Sequence, residues 1–413
     1  MISTSRIIWF VRHAGRQIWF RAALISVASV VVAGFAGIIA RAIPYEFTGD
    51  IGQNAIGTVL EIIASSMLAV TTFSLTAMVS AYSSATQLAT PRATQLMISD
   101  RTSQNALSTF LGAFIFSVVG VIGLQTRLYG GQGRVVLLLA TVLLIVLVVV
   151  TLLRWIAHLA AFGRMGDVID RVEDAACKAM RAFAKDPYQG GRPAIAVPPG
   201  SVPVVAGEIG YVTHVDVAAL AALAAKHEVA VHVAALPGTL VHDGRPLLYV
   251  AGGDCDDTAR RALVDAFMIE RHRRFDHDPR LGLIALGEIA GRALAPATND
   301  PGTAIEVVNA LFRTLSLLPA EAPPPGADLP PVYLPRPGAG EMIRDGFAPI
   351  VREGAGEEEA AMRALKVLAA LGAALPHAAE TTRALTAELR RNVERTMQDD
   401  AAIARTLGQG LPD

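Results

Sequence analysis

A row of hydroxyl, amide and acidic side chains along one uncharged stretch offers the clearest chemistry in this sequence. Residues Ile62 to Thr90 carry no charge, and a run of that length can cross a bilayer. When the region is wound as a helix at about 100° per residue, its polar residues fall on one stripe. The stripe consists of Asn54, Thr58, Glu61, Ser65, Thr72, Thr76, Ser80, Ser83 and Gln87. A polar face this long must turn away from lipid, so it indicates a candidate polar transmembrane path.

Two interpretations of the stripe stay open. If several subunits meet along it, the hydroxyl oxygens line water. Alternatively, each hydroxyl bonds to its own helix backbone or to a neighbouring helix, at about 0.6 kcal/mol on average, and the stripe only packs. The stripe is roughly 50 Å long at 1.5 Å per residue, so the helix is expected to project beyond a hydrocarbon core of about 30 Å. Glu61 then either lies solvated at the outer interface or carries protons along the path.

The loop from Ser83 to Gln104 places charges next to the striped helix. Pro91 is expected to end or kink that helix, and Asp100 is suited to cap the next one. Arg92, Asp100 and Arg101 therefore predict a cytosolic turnaround between two helices, stabilised by an ion pair.

A candidate site for an anion or other ligand comprises Asn299, Asp300, Gly302 and Thr303. Asp300-Pro301 is a helix-start signal, and backbone N–H groups at a helix start can hold a phosphate or another anion. The Asp300 carboxylate can occupy the same donors as a cap, and this is the competing interpretation.

Other polar residues give weaker signals. His272, Asp276, His277 and Asp278 crowd one segment, but no second group has metal-ligand spacing, so a solvated helix end is expected. The two cysteines, Cys177 and Cys255, lie far apart and are expected to be reduced. We expect no metal and no cofactor. Neither a Walker, a GxSxG nor a GxGxxG pattern occurs in a suitable context, so we do not expect an enzyme.

Four uncharged runs are expected to cross the membrane and to hold this chemistry in place. They are Ala22 to Ala40, Ile62 to Tyr82, Asn105 to Leu124 and Val135 to Leu153. A cleaved signal peptide is the alternative for the first run, although its 19 residues exceed the roughly 7–15 of a signal. Small residues such as Gly112 and Gly120 in the third run let helices approach closely, so we expect copies to associate through the second and third spans.

The distribution of arginine predicts the orientation. The N-terminal segment carries Arg6, Arg12, Arg16 and Arg21 without an acid, and basic residues also follow the second and fourth spans. Both termini are therefore expected in the cytosol of a bacterium, with the protein in the inner membrane. The formal net charge of −1 and the absence of a basic face give no argument for nucleic acid.

The overall fold is expected to be an all-α membrane domain of four spans, a cytosolic α+β module and a C-terminal helical region. The predicted boundaries are a transmembrane domain 1–156, a stalk helix and linker 157–201, an α+β module 202–255, a helical region 256–318, a Pro-rich linker 319–340 and C-terminal helices 341–413. In the module, strands are predicted at Val202–Ala206, Gly210–His214, Val229–Ala234, Thr239–Val241 and Leu247–Val250. Helices are predicted from Asp216 to Lys226, from Asp256 or Asp257 to Arg271, from Asp278 to about Leu294 and after Asp300. Two more are predicted from Glu357 to Leu375 and from Ala378 to Leu407.

Four segments resemble a bacterial family of predicted membrane proteins that is known only as a domain of unknown function. The first is SSATQLATPRATQLMISDRTSQNALSTFLGAFIF at Ser83–Phe116. The others are GYVTHVDVAALAALA at Gly210, PGTLVHDGRPL at Pro237 and DPRLGLIALGEIAGRALAPATNDPGTA at Asp278. The resemblance covers about residues 10–400 and implies a multi-pass inner-membrane protein with a cytosolic C-terminal half. It brings no activity and no catalytic residues.

Together these patterns favour a channel-like or transport-related homo-oligomer whose cytosolic half senses or gates. The expected partners are the lipid bilayer, further copies of the chain, and an ion or small anionic ligand. A membrane scaffold or regulatory protein that conducts nothing is the alternative, with an enzymatic cytosolic half a more remote one.

Overall fold

The computed structural model divides the chain into two compact units, which comprise residues 1–87 with 94–167 and residues 88–93 with 168–413. It describes residues 23–24, 26–28, 30–31, 53–88, 90–98, 100–126, 129, 131–161, 164–253, 255–320 and 328–408. Most of the first predicted span, Ala22 to Ala40, lies outside these residues, and its described part is helical.

The first unit is built from long apolar helices. They are α1 (Gln53–Leu88), α3 (Arg101–Gln125) and α4 (Gly131–Ala161), and the short α2 (Pro91–Ile98), whose first three residues belong to the second unit, follows α1. Three stretches within them, Ala55–Ser83, Thr102–Gln125 and Gly133–Ala160, are long and apolar enough to cross a membrane. The described residues therefore support the second, third and fourth predicted spans, and the count of four is not confirmed. As predicted, α1 ends just before Pro91, which starts α2.

The helices of this unit pack through small and apolar residues. One cluster of buried side chains joins α1, α3 and α4 around Leu60, Phe116 and Leu137. A Cβ on Gly120 would lie 2.9 Å from Leu60 Cδ1 and 3.6 Å from Leu137 Cδ1, so α3 needs glycine there for close approach. Gly120 thus packs inside one chain, which corrects the expectation that it lies between copies.

The second unit begins with α5 (Met165–Lys185) and contains two small sheets. Their strands are β1 (Arg192–Pro193), β2 (Val202–Val205), β3 (Gly210–Val215), β4 (Ala230–Val233), β5 (Leu240–Val241), β6 (Pro246–Ala251), β7 (Phe267–Glu270) and β8 (Val332–Leu334). One sheet has the order β1-β8-β4-β6-β2, with parallel pairing along β1-β8-β4 and antiparallel pairing elsewhere. The other is antiparallel with the order β5-β3-β7.

Helices complete the second unit. They are α6 (Val217–His227), α7 (Asp257–Asp265), α8 (Pro279–Ala293), α9 (Pro301–Leu315), α10 (Ala339–Glu353), α11 (Glu358–Ala374), α12 (Ala379–Thr396) and α13 (Asp400–Gly408). The helix starts predicted at Asp216, Asp278 and Asp300 are confirmed, because each carboxylate accepts backbone N–H bonds of the first turn. α8 and α9 begin with proline, whose fixed φ suits the first helical position.

Three features of the second unit differ from expectation. The helix predicted to reach Arg271 ends at Asp265, and the chain then enters β7, which pairs with β3. β8 lies inside the segment that was predicted as a Pro-rich linker, and its backbone joins β1 to β4. The last predicted helix is interrupted between α12 and α13. In each case, pairing with distant residues or a local break overrides a pattern that is ambiguous over a few residues.

Candidate functional site

The polar stripe of α1 faces away from the residues on which this helix packs. Every stripe residue whose side chain is described is exposed, namely Thr58, Glu61, Ser65, Thr72, Thr76, Ser80 and Ser83. The buried residues of α1 are Ile56, Leu60, Met67, Ser74 and Met78. At about 100° per residue, these two sets lie on opposite sides of the helix. The side chains of Asn54 and Gln87 lie outside the described residues.

Several stripe hydroxyls donate to the backbone of their own helix. The Ser65 hydroxyl lies 3.0 Å from the Glu61 carbonyl oxygen, and Thr76 lies 3.0 Å from that of Thr72. Thr72 donates in turn to the Leu68 carbonyl at 2.7 Å. Each of these oxygens keeps lone pairs that can accept from water, because a hydroxyl is one donor and two acceptors. The bonds are compatible with a dry interface and with a hydrated one.

Apolar side chains flank the stripe on the same exposed side. Ile62, Phe73 and Val79 are each at least 60% exposed. These apolar side chains are stable against hydrocarbon or an apolar partner surface. The hydroxyls and Glu61, in contrast, need water or polar groups as hydrogen-bond partners. In the part of the chain that the structure describes, the stripe side chains and these apolar neighbours are exposed.

The buried side of the helices holds hydroxyls that the stripe pattern did not indicate. Ser74 of α1 and Ser108 and Ser117 of α3 are fully buried, and their Oγ atoms have no hydrogen-bond partner. A serine hydroxyl can rotate toward a carbonyl of the preceding turn, so each can be satisfied without rearranging the helices. Small residues here permit close packing, which is the role expected for α3.

The turnaround is stabilised by a carboxylate network. Asp100 is buried and caps α3, because its Oδ2 accepts the Ser103 N–H at 2.7 Å and the Ser103 hydroxyl at 2.5 Å. The same oxygen lies 2.9 Å from Nε2 of His158, near the end of α4. The cap is as predicted, whereas the partner is a histidine that the sequence analysis missed. A polar residue at the end of an otherwise apolar helix was the available signal.

Of the two arginines of the predicted turnaround, only Arg92 has a described side chain. Arg92, which belongs to the second unit, forms an ion pair with Glu288 of α8. The side chain of Arg101 lies outside the described residues. Arg92 thus has a partner in α8, and the ion pair predicted within the turnaround stays a prediction.

The candidate anion site at the start of α9 is occupied by its own carboxylate. Asp300 accepts the Thr303 N–H at 3.0 Å and the Thr303 hydroxyl at 2.6 Å. These bonds lower the pKa of Asp300, and the Thr303 hydroxyl contributes most. The structure shows the capping interpretation at this helix end. A bound anion would have to displace or tolerate that negative charge, so Asn299 and Gly302 gain no support as ligand residues.

The His- and Asp-rich segment before α8 is less solvated than expected. Asp278 is only 2% exposed and pairs with Arg273 at 2.7 Å. Burial raises the pKa of Asp278, and the Arg273 guanidinium opposes that shift. His277 is exposed and contacts the ring of His214 of β3, with 4.6 Å between the ring centroids. Burial, and secondarily the charge of His277, lowers the pKa of His214.

Metal binding finds no support among the described residues, where no group of three His, Cys, Asp or Glu side chains is arranged to hold an ion. Cys177 is buried with its Sγ atom 3.4 Å from the Thr314 hydroxyl, and Cys255 is half-buried; both are free thiols.

Comparison with known proteins agrees with a membrane protein. A family model described as "Predicted membrane protein (DUF2254)" matches residues 15–370. Uncharacterized protein Rv1290c of Mycobacterium tuberculosis (strain ATCC 25618 / H37Rv) is 32% identical over 185 residues, which cover 42% of this chain and 35% of that protein. Uncharacterized protein Mb1321c of Mycobacterium bovis matches equally well. The matched region thus spans about a third of these curated relatives. No solved structure matches.

Proposed function

The chain belongs to this family of predicted membrane proteins, and from that premise we propose that it forms a channel-like or transport-related homo-oligomer. Its place is the bacterial inner membrane, with both termini in the cytosol, and its second unit senses or gates from that side. We assign it no catalytic activity, because the sequence offers no nucleophile–base motif.

The outward-facing stripe of α1 carries this proposal. Its hydroxyls and Glu61 lie opposite the packing face of the helix, so the described helices of the same chain do not shield them. A row of such groups is unfavourable against lipid and becomes favourable when copies bring their stripes together around water. The exposed stripe therefore supports the proposed self-association, and its length supports the proposed shared hydrated path.

Stripe hydroxyls that donate to the backbone of their own helix support a second candidate, a membrane scaffold that conducts nothing. Ser65, Thr72 and Thr76 each donate to their own helix backbone, which lowers the cost of placing them in a dry interface. In that case the stripe only holds helices together.

Ion flux through purified protein in liposomes separates the two functions. The full chain should release a trapped-ion gradient, and Thr72→Val with Thr76→Val should reduce the flux about tenfold or more, because the changes remove oxygens at nearly constant volume. Thr71→Val is the matched control, since Thr71 lies off the stripe, is partly buried and donates to Met67. Absence of flux from well-folded wild-type protein would favour the scaffold.

Thiol labelling tests hydration directly. After Cys177 and Cys255 are replaced, single cysteines at Thr72, Thr76 and Ser80 should react with a water-soluble thiol reagent, because the reactive thiolate scarcely forms in hydrocarbon or in a dry interface. Buried Ser74 and Met78 serve as protected controls, and Phe73 and Leu75 as exposed apolar positions. Protection at all three stripe positions would contradict the hydrated path and favour the scaffold.

A further inference from the structure

The second unit contains an arginine-lined groove that none of the features above uses. Its volume is about 380 Å³, and its walls include the loop after β4 and the segment after β8. The groove brings together Arg245, Arg273, Arg280 and Arg336, which come from three separate segments of the chain. Among its described lining residues, Glu341 alone is acidic.

Two of these arginines are held in fixed positions by carboxylates. Arg273 donates to Asp278 through Nε at 2.8 Å and through a terminal nitrogen at 2.7 Å. Arg280 makes two bonds to Asp345, at 2.5 and 3.0 Å, and a third to Glu341 at 3.1 Å. Such bidentate pairs orient the guanidinium planes at the groove wall.

The other two arginines keep their donors available. Arg245 and Arg336 are exposed, and neither has a carboxylate partner in the described part of the chain. The one hydrogen bond that the Arg245 guanidinium makes there is a long one, 3.4 Å, to the Leu240 carbonyl oxygen. The groove therefore presents two uncompensated guanidinium groups beside two preoriented ones.

The loop that borders the groove is tightly packed. Gly238 has φ +92, and a Cβ at this position would collide with the Asp278 carboxylate and the Arg273 guanidinium. The Gly238 N–H donates to the Val212 carbonyl at 2.8 Å. Because the Gly238 backbone approaches the Arg273–Asp278 ion pair this closely, the loop at the rim of the groove and the Arg273 side chain have a defined arrangement.

A second cavity, of about 270 Å³, adjoins the groove. Four residues line both spaces, namely Leu236, Pro237, Pro335 and Pro337. The second cavity also has ring-bearing residues, Phe183, His214 and His277, and a more apolar lining. Nδ1 of His214 is buried there without a hydrogen-bond partner.

We propose that the arginine-lined groove binds the phosphate groups of a nucleotide-sized small molecule, whose ring portion occupies the neighbouring cavity. The planar, five-donor guanidinium matches phosphate oxygens better than any other side chain. Together the two cavities fall within the roughly 300–1,000 Å³ that is typical of small-molecule sites. The inference rests on the proposed function in one respect only, because it names the kind of ligand that the second unit would sense.

Calorimetric titration of the full chain in detergent tests the site, with inorganic pyrophosphate, ADP and GDP as probes. We expect pyrophosphate to bind, at least one nucleotide to bind more tightly, and added salt to weaken both because it screens the arginines. The variant Arg245→Gln with Arg336→Gln should weaken binding by at least about tenfold. Since neither arginine has a carboxylate partner, the change leaves no buried charge unpaired.

Arg260→Gln with Arg261→Gln is the matched control, because these exposed arginines of α7 line neither cavity and the charge change is the same. Equal weakening in the control, or no binding of any probe at about 1 mM, would overturn the site. Equal affinity for pyrophosphate and both nucleotides would overturn the nucleotide-sized ligand. Binding without ion flux would refute the proposed channel alone, and flux without binding would refute this site alone.

Discussion

At the scale of single residues, the structure distinguishes carboxylates that look alike in sequence. Asp278 and Asp300 both precede a proline and both cap a helix. Asp278 is buried against Arg273, and its pKa is raised mainly by burial. Asp300 is exposed, and its pKa is lowered mainly by the Thr303 hydroxyl. Asp278 orients Arg273 at the groove wall, and Asp300 stabilises the start of α9.

Asp300→Ala should accelerate amide hydrogen exchange in the first turn of α9 about fivefold, since a lost cap costs about 1 kcal/mol. The pKa of Asp300 is depressed on folding, so its contribution is complete above its ordinary value of 3.8 and is lost as the pH falls through the lower folded value. The difference between wild type and variant should therefore shrink in acid. Glu306→Ala, on the exposed side of α9, should leave exchange in that turn unchanged. Equal protection in Asp300→Ala would contradict the cap.

At the scale of elements, α1 has two different faces. Its buried side packs Leu60 against Gly120 of α3, whereas its hydroxyl side has no cover among the described residues. The helical period alone predicts that the stripe is continuous. It does not tell which side of the helix the same chain covers, because that depends on how α3 and α4 pack.

Gly120→Leu should destabilise the first unit by about 1–3 kcal/mol, because an added side chain overpacks the contact with Leu60 and Leu137. The measurement is the thermal unfolding midpoint of the purified chain in detergent. Gly57→Ala is the matched control, since a Cβ on Gly57 meets no atom within 4 Å and alanine favours the helix. An unchanged midpoint for Gly120→Leu would show that this contact does not hold α1 to α3.

At the scale of the whole molecule, orientation and assembly remain predictions from arginine bias and from the stripe. Reporter fusions after Thr126 and at the C-terminus should report opposite compartments, with the C-terminus in the cytosol. Because one span separates these points, the same compartment at both would refute the predicted topology.

Native mass measurement in detergent should give a multiple of the 43.5 kDa chain mass. If the outward stripe meets other copies, as proposed, Thr72→Leu with Thr76→Leu should shift the distribution toward monomer. Leu68→Ala, which changes an exposed apolar residue beside the stripe, serves as a comparison. A wild-type monomer would contradict self-association.

The sequence by itself determined the family, most local elements and the three described helices that are apolar and long enough to cross a membrane, because these depend on hydropathy, helical period and capping residues that lie close together in the chain. It correctly predicted the strands from Val202 to Val250 and the helix starts at Asp278 and Asp300. Only the tertiary structure decided that Val332–Leu334 joins a sheet and that α1 turns its hydroxyls outward. It alone placed His158 beside Asp100 and brought arginines from three separate segments of the chain into one groove. Such contacts join residues far apart in the chain, and no local pattern encodes which distant partner a side chain will meet.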